Sequence, residues 1–187
     1  MSSAPTGAVV DTRPLTTDRI DPIPAGLNSE AIAINPAGTR LYVVNRGSGG
    51  TITVIDTNPA TYAVVATVPV GAGLQAAAVS PDGTKVYVAV GGTSSVAVVR
   101  ASDNAVVGSI PVGVGPVSIA VRGNYAYVAN QNERSVSVID TRTDTVVSTI
   151  SVPFQPAAVA VSPDGGLLYL ANTNGHNVTV VGVTGAA

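Results

Sequence analysis

Four stretches of this chain superimpose on one another, and no other feature restricts its possible folds as strongly. They cover residues 31–45, 77–90, 119–130 and 158–172. A tyrosine marks the same place in each, and Tyr42, Tyr87, Tyr127 and Tyr169 lie 45, 40 and 42 residues apart. A period of that length denotes a supersecondary unit that cannot bury its apolar face alone and must stack on its neighbours. Helical repeats of similar length need apolar residues at i, i+3, i+4 and i+7. No stretch here carries that pattern, and short β-branched runs dominate instead.

Each period divides into four short strands. In the second, strand a is expected over residues 76–80, b over 85–90, c over 95–100 and d over 105–112. The a-to-b turn reads Asn35-Pro-Ala-Gly38, Ser80-Pro-Asp-Gly83 and Ser162-Pro-Asp-Gly165, and shrinks to Arg122-Gly-Asn124 in the third period. Proline presets φ there, aspartate caps the turn and glycine supplies positive φ. The b-to-c turns are rich in Asn and Gly, which suits tight hairpins. The d-to-a connections carry Gly26, Gly71, Gly73, Gly113, Gly115 and Pro116, where the chain crosses from the outer edge of one sheet to the centre of the next. Val, Ile and Thr make up about a third of the chain, which is strand chemistry. The predicted fold class is therefore all-β, a β-propeller of four-stranded antiparallel blades with about four blades per chain.

The ends do not fall on blade boundaries. Val10-Asp11-Thr12 matches Ile139-Asp140-Thr141, and residues 16–24 match the strand d that follows, whereas residues 157–183 supply only strands a, b and c. The N-terminal strand is expected to complete the last blade and close the ring, leaving no long unpaired edge. The expected organisation is a flexible tail over residues 1–7 and one propeller domain over 8–184. Four is the smallest blade number propellers adopt. Two other arrangements therefore stay open: a homodimer in which two chains form an eight-blade ring, or an arc of a larger propeller.

The turn motif, the strand ends Tyr42-Val-Val-Asn45, Tyr127-Val-Ala-Asn130 and Tyr169-Leu-Ala-Asn172, the block Val136-Ser-Val-Ile-Asp140 and the block Ile110-Pro-Val-Gly113 together resemble the YVTN-repeat β-propeller family. The likeness covers residues 8–183, with four motif blocks in the same order. Val90 departs from the strand-end asparagine, Arg100 and Gly182 depart from the aspartate at Asp56 and Asp140, and the third repeat lacks the Pro-Asp-Gly turn. The resemblance implies a prokaryotic cell-surface or secreted protein. Related propellers include lactone hydrolases, lyases and subunits of quinone-linked dehydrogenases, so an enzyme is the alternative the resemblance leaves open.

Charge narrows the choice of partners. The net charge is −2, charged residues are 11% of the chain, and Lys85 is the only lysine. Such a chain offers no field to draw nucleic acid or an anionic membrane surface, and no segment approaches 18 uninterrupted apolar residues. Neither nucleic-acid binding nor membrane insertion is expected. The absence of cysteine removes thiolate nucleophiles, zinc–cysteine sites and covalent haem attachment.

Few residues suggest chemistry. His176, the only histidine, lies in a polar hairpin and reads as a solvated loop residue. Asp56, Asp82, Asp140 and Asp164 recur at the repeat period, which points to turn caps, and Asn45, Asn130 and Asn172 read as turn residues at positive φ. Glu30 follows a d-to-a connection, with Asn28, Gln75 and Gln155 read as polar residues at matching positions. One carboxylate among them is too few for a hard cation. No catalytic residue, metal ligand or cofactor is therefore expected. The d-to-a connections and b-to-c turns differ from copy to copy while the strands do not, and both loop sets are expected on one face around the channel mouth. Any protein or small-molecule ligand is expected there, on Glu30, Arg46, Gln75, Arg134, Phe154 and Gln155.

Overall fold

A computed structural model describes Thr6–Gly7 and residues 22–58 and 60–183. Blade 1 consists of β3 (Ser29–Ile34), β4 (Arg40–Asn45), β5 (Thr51–Asp56) and β6 (Val64–Pro69). Blade 2 holds β7 (Leu74–Val79), β8 (Lys85–Val90), β9 (Ser95–Arg100) and β10 (Ala105–Pro111). Blade 3 holds β11 (Pro116–Arg122), β12 (Tyr125–Asn130), β13 (Ser135–Asp140) and β14 (Thr145–Ser151), and blade 4 holds β15 (Pro156–Val161), β16 (Leu167–Asn172) and β17 (Val178–Gly182). Each blade is an antiparallel meander, four-stranded in blades 1 to 3 and three-stranded in blade 4. The second-period strands b and c fall where the sequence places them. Strand a begins two residues earlier because Gln75 is a β-bulge, skipped between the pairs Leu74↔Val90 and Ala76↔Ala89.

Backbone bonds repeat with the blades. The carbonyls of Thr39, Thr84, Asn124 and Gly166 in the a-to-b turns accept from the N–H groups of Thr57, Ala101, Thr141 and Val183, just after strand c. At the other end, Arg46, Gly91, Gln131 and Thr173 donate to Asn28, Gly73, Gly115 and Gln155. The d-to-a and b-to-c loops are thus zipped together on one face, as expected, and the a-to-b and c-to-d turns on the opposite face.

The core lies between blades. Tyr42, Val44, Ile52 and Val54 of blade 1 cluster with Val86, Val88, Ala97 and Val99 of blade 2. Tyr87, Val96 and Val98 meet Ile119, Val128 and Ile139 of blade 3, and Tyr127, Val136 and Val138 meet Val159, Leu168 and Leu170 of blade 4. Full burial of each such side chain stabilises by about 1.5–3 kcal/mol. One polar lock joins blades 2 and 3: Lys85 Nζ lies 2.7 Å from Asp144 Oδ2, and the Tyr87 hydroxyl donates to Asp144 Oδ1 at 2.7 Å.

Burial raises the ionisation of Tyr42, Tyr87 and Tyr127 above the usual tyrosine range, and Asp144 pushes Tyr87 further the same way. A folded-state pKa above the unfolded one contributes stability below the unfolded value of about 10 and loses it as pH rises further. Melting temperature should therefore fall above about pH 10, and tyrosinate absorbance from these three residues should grow in step with loss of strand circular dichroism. Their full ionisation in a still-folded chain would contradict the burial argument.

The expected ring closure lies largely outside the described residues, since 8–21 are not among them. Of the expected tail, Thr6–Gly7 form β1, which pairs with β2 (Ile23–Pro24) through Thr6↔Pro24 and Gly7↔Ile23. Among the described residues no strand lies beyond β17. β3 packs on β7, β7 on β11 and β11 on β15, but no such packing returns β15 to β3.

The strand-end asparagines need correction. Asn45, Asn130 and Asn172 do not have positive φ; the left-handed positions are Gly50, Ser94, Arg134 and His176, each immediately before strand c or its equivalent residue. The asparagines are buried, and their side chains carry the function. Asn45 Nδ2 donates to Thr53 Oγ1 at 2.9 Å, Asn130 Nδ2 to Ser135 and Ser137 at 3.0 and 2.9 Å, and Asn172 Nδ2 to Asn177 and Thr179 at 2.7 and 2.8 Å. In blade 2 the matching residues are Val90 and Ala97, so the polar pair is replaced by an apolar one.

Candidate functional site

On the loop face, the four strands a share one irregularity. Glu30, Gln75, Val117 and Ala157 are each the bulged residue skipped in pairing with strand b. A bulge re-aims its side chain away from the ladder, so this position varies freely while its neighbours pack. Of the three polar residues read as matching, Asn28 and Gln155 do share a position, two residues before the bulge and equivalent to Gly73 and Gly115; Gln75 does not, since it is the bulged residue itself and matches Glu30. Asn28, Gly73 and Gly115 have positive φ, and Gln155 does not.

The structure brings one pair of expected residues together. Glu30 Oε1 lies 3.8 Å from Arg46 Nη1, both side chains exposed, while the Arg46 N–H donates to the Asn28 carbonyl at 2.8 Å. An exposed pair of this kind adds little stability, so both groups can be offered to a ligand. Gln75 is half-buried beside Gly91. Gln155 Oε1 accepts from Asn174 Nδ2. Arg134 has an exposed side chain, but its left-handed backbone and its carbonyl, which accepts from Val152 N–H at 2.9 Å, hold the hairpin. Phe154 is 37% exposed at the end of the blade 3 to blade 4 crossing. Among the described residues no hydrogen bond or ion pair joins these groups from one blade to the next. Gln131 does bridge blades on this face, donating to Thr173 Oγ1 at 3.4 Å.

Sequence reasoning missed Glu133. Its carboxylate accepts from the Val114 N–H at 2.8 Å and so ties the b-to-c hairpin of blade 3 to the crossing before it. The signal was available, since Glu133 is one of two glutamates, but nothing in a single sequence pairs a glutamate with a backbone donor 19 residues earlier. Among the described residues no three of His, Asp and Glu gather to hold a metal ion.

The opposite face is built from caps. Ser80 Oγ donates to Asp82 at 2.5 Å while Asp82 accepts from Thr84 N–H at 3.0 Å, and Asp164 accepts from Ser162 and Gly166 in the same way. These bonds hold both carboxyls below the usual carboxylate range, the serine hydroxyl being the largest influence. Asp140 is held down to about 2, chiefly by Arg142 at 2.7 Å. Asp56 meets Arg40 at 2.7 Å. A cavity of about 350 Å³ opens here between blades 2 and 3, lined by Ser80, Asp82, Thr84, Lys85, Thr141 and Arg142. Its two cations are already held by Asp144 and Asp140. The aspartates are therefore scaffold groups, as the repeat period indicates.

Three solved structures share this architecture. Hydrazine synthase of Kuenenia stuttgartiensis is 26% identical, with a TM-score of 0.77 over 93% of this chain and 49% of its own. A functionally unknown protein from Desulfotomaculum acetoxidans is 17% identical, with a TM-score of 0.79 over 95% of this chain and 62% of its own. The β-propeller domain of Swd1 from Myceliophteria thermophila is 12% identical, with a TM-score of 0.76 over 97% of this chain and 65% of its own. The chain thus spans between half and two-thirds of the length of these structures. No family model matches the chain, and no curated protein matches it. The fold is a β-propeller fold.

Proposed function

We propose that this chain is a non-catalytic binding and interaction scaffold, of the kind the YVTN-repeat surface proteins represent, acting outside the cytoplasm or at a cell surface. The observation that carries the reading is the division of labour between the two faces. On the turn face Asp56, Asp82, Asp140 and Asp164 are spent on caps or ion pairs of their own blades, and Asp144 on the lock between blades 2 and 3. On the loop face the bulge position changes from Glu30 to Gln75 to Val117 to Ala157 on an otherwise repeated frame. Variable side chains on loops held by a rigid scaffold are how folds of this type carry recognition. Glu30, Arg46, Gln75, Arg134, Phe154 and Gln155 present a carboxylate, two guanidinium groups, two amides and an aromatic ring. That set suits a polar protein surface or a small polar ligand.

Capture from the native host compares three chains: unchanged, Glu30→Ala/Phe154→Ala, and Arg100→Ala/Asp164→Ala on the opposite face. Both doubles should keep the strand circular dichroism. The loop-face double should lose at least tenfold in affinity for the captured partner, and the turn-face double should not. The reverse pattern would overturn the assignment of the face. Divalent-metal-dependent lactone hydrolysis abolished by Glu30→Ala would replace the scaffold reading with the enzyme.

A further inference from the structure

The crossings that lead into blades 1, 2 and 3 carry a glycine at one equivalent place, Gly26, Gly71 and Gly113. A Cβ at Gly26 would stand 2.6 Å from the Asn45 amide, and one at Gly113 would stand 2.5 Å from the Asn130 amide. At Gly71 it would meet nothing within 4 Å. The strand-end carboxamide fills this place in blades 1 and 3, and Val90 leaves it open in blade 2. Two further replacements widen the gap: Thr53 and Ser137 become Ala97, and their cross-strand partners Thr67 and Thr149 become Ser109. The result is a pocket of about 360 Å³ between the end of blade 1 and strands b, c and d of blade 2, within the size range of small-molecule sites. Both blades that form it have all four strands.

The replacements also leave hydrogen-bonding capacity unused. In blade 1 the Thr53 hydroxyl donates to the Ala25 carbonyl. Ala97 cannot serve the equivalent Val70 carbonyl, and among the described residues no other group donates to it. In blade 3 the Ser135 hydroxyl accepts from Asn130 Nδ2 at 3.0 Å. Ser95, at the same place and 8% exposed, has lost that amide, and among the described residues its hydroxyl has one partner, Thr93 Oγ1 at 2.7 Å. A hydroxyl has one hydrogen and two lone pairs, so Ser95 can take a further bond, and a buried polar group gains from a ligand that supplies it. At the mouth, the exposed Ser109 offers a second hydroxyl. No charged residue lines the pocket, so an ionised ligand would lose its hydration there without an opposite charge to replace it.

We propose that this pocket binds a small neutral molecule that carries a terminal carboxamide on a short apolar body. The ligand amide takes the place that the Asn45 and Asn130 amides hold in their own blades. Its N–H groups donate to the Val70 carbonyl and to Ser95 Oγ, its carbonyl accepts from the Ser109 hydroxyl, and its apolar body lies against Val90 and Ala97. A carboxamide suits the site because it donates and accepts at once without charge. This inference goes beyond the scaffold reading and is independent of it, since none of these residues belongs to the loop-face set.

Isobutyramide titrated into the unchanged chain and followed by amide NMR should shift the backbone signals of Gly71, Val90 and Ser95 to saturation. Isobutyrate, the same shape ending in a carboxylate, should bind at least about tenfold more weakly. Two variants close the pocket with groups the chain already uses: Ala97→Thr installs the hydroxyl of blade 1, and Val90→Asn/Ala97→Ser installs the pair of blade 3. Each should keep the strand circular dichroism and weaken isobutyramide binding at least about tenfold, the worth of one lost hydrogen bond; if one fails to fold, the other decides. Glu30→Ala/Phe154→Ala should leave the binding unchanged, which separates this site from the loop face. The absence of saturable shifts would mean a pocket filled by water only and would overturn the proposal. Equal binding of isobutyrate, or undiminished binding by a folded pocket variant, would overturn it as well.

Discussion

Replacing Gly50 with alanine should destabilise the chain by about 3 kcal/mol or more, the range reached when a core cannot yield to an added atom. A Cβ at Gly50 would stand 1.8 Å from the Gly71 carbonyl oxygen and 3.1 Å from Leu74 Cγ. Neither can withdraw, because the Gly50 carbonyl accepts from the Val70 and Gly71 N–H groups and Leu74 is fully buried. The informative control is the same position in other blades. Ser94, Arg134 and His176 adopt the same left-handed φ, between +49° and +54°. Arg134→Gly should be neutral or stabilising by up to about 1.5 kcal/mol, since glycine removes a left-handed penalty of roughly 1–2 kcal/mol at an entropic cost of about 0.5–1. Chemical denaturation of Gly50→Ala, Gly50→Ser and Arg134→Gly decides the matter. A Gly50→Ser chain as stable as the unchanged one would show that Gly71 can move.

Asn130→Val should cost about 2–4 kcal/mol, and much of that loss should be recovered by adding Ser137→Ala. Asn130 is fully buried and gives its amide hydrogens to Ser135 and Ser137; removing it strands hydroxyls whose desolvation costs about 1–3 kcal/mol each. Blade 2 already contains the apolar solution, Val90 with Ala97, at the same two positions. A double-mutant cycle should show a coupling of about 1 kcal/mol or more. It should fall short of full recovery, because Ser137 Oγ also accepts from the Gly113 N–H at 3.3 Å. Asn130→Gly should be as damaging as Asn130→Val, since the backbone there is ordinary strand. Strict additivity in the cycle, or a harmless Asn130→Gly, would return the asparagines to a turn role.

Much of the blade was legible because its determinants are local. The Pro-Asp-Gly turns, the β-branched runs and the period between tyrosines act over a few residues or recur often enough to be counted, and strands b and c of the second blade follow from them residue for residue. Asn130 was misread for a matching reason. Asparagine before a hairpin is an ordinary left-handed residue, and only the packing of Ser135 and Ser137 beneath it shows that the amide, not the backbone angle, is used. The bulge that separates Glu30 and Gln75 from Gln155 was equally invisible, since the residues after it are all apolar and offer no alternation for a skipped residue to break.

By itself, then, the sequence determined the unit: four strands, their turns, and a tyrosine that must be covered by a neighbour. The tertiary structure decided how units are used. It assigned the aspartates that recur with the repeat to caps and ion pairs of the turn face, moved the left-handed positions to the residue before strand c, and left the apolar faces carrying Tyr169 and Ile32 uncovered. The physical reason is range: turn and strand preferences are encoded within about five residues, whereas the cover of a blade face depends on a surface some 40 residues away, which a repeat specifies in kind but not in location.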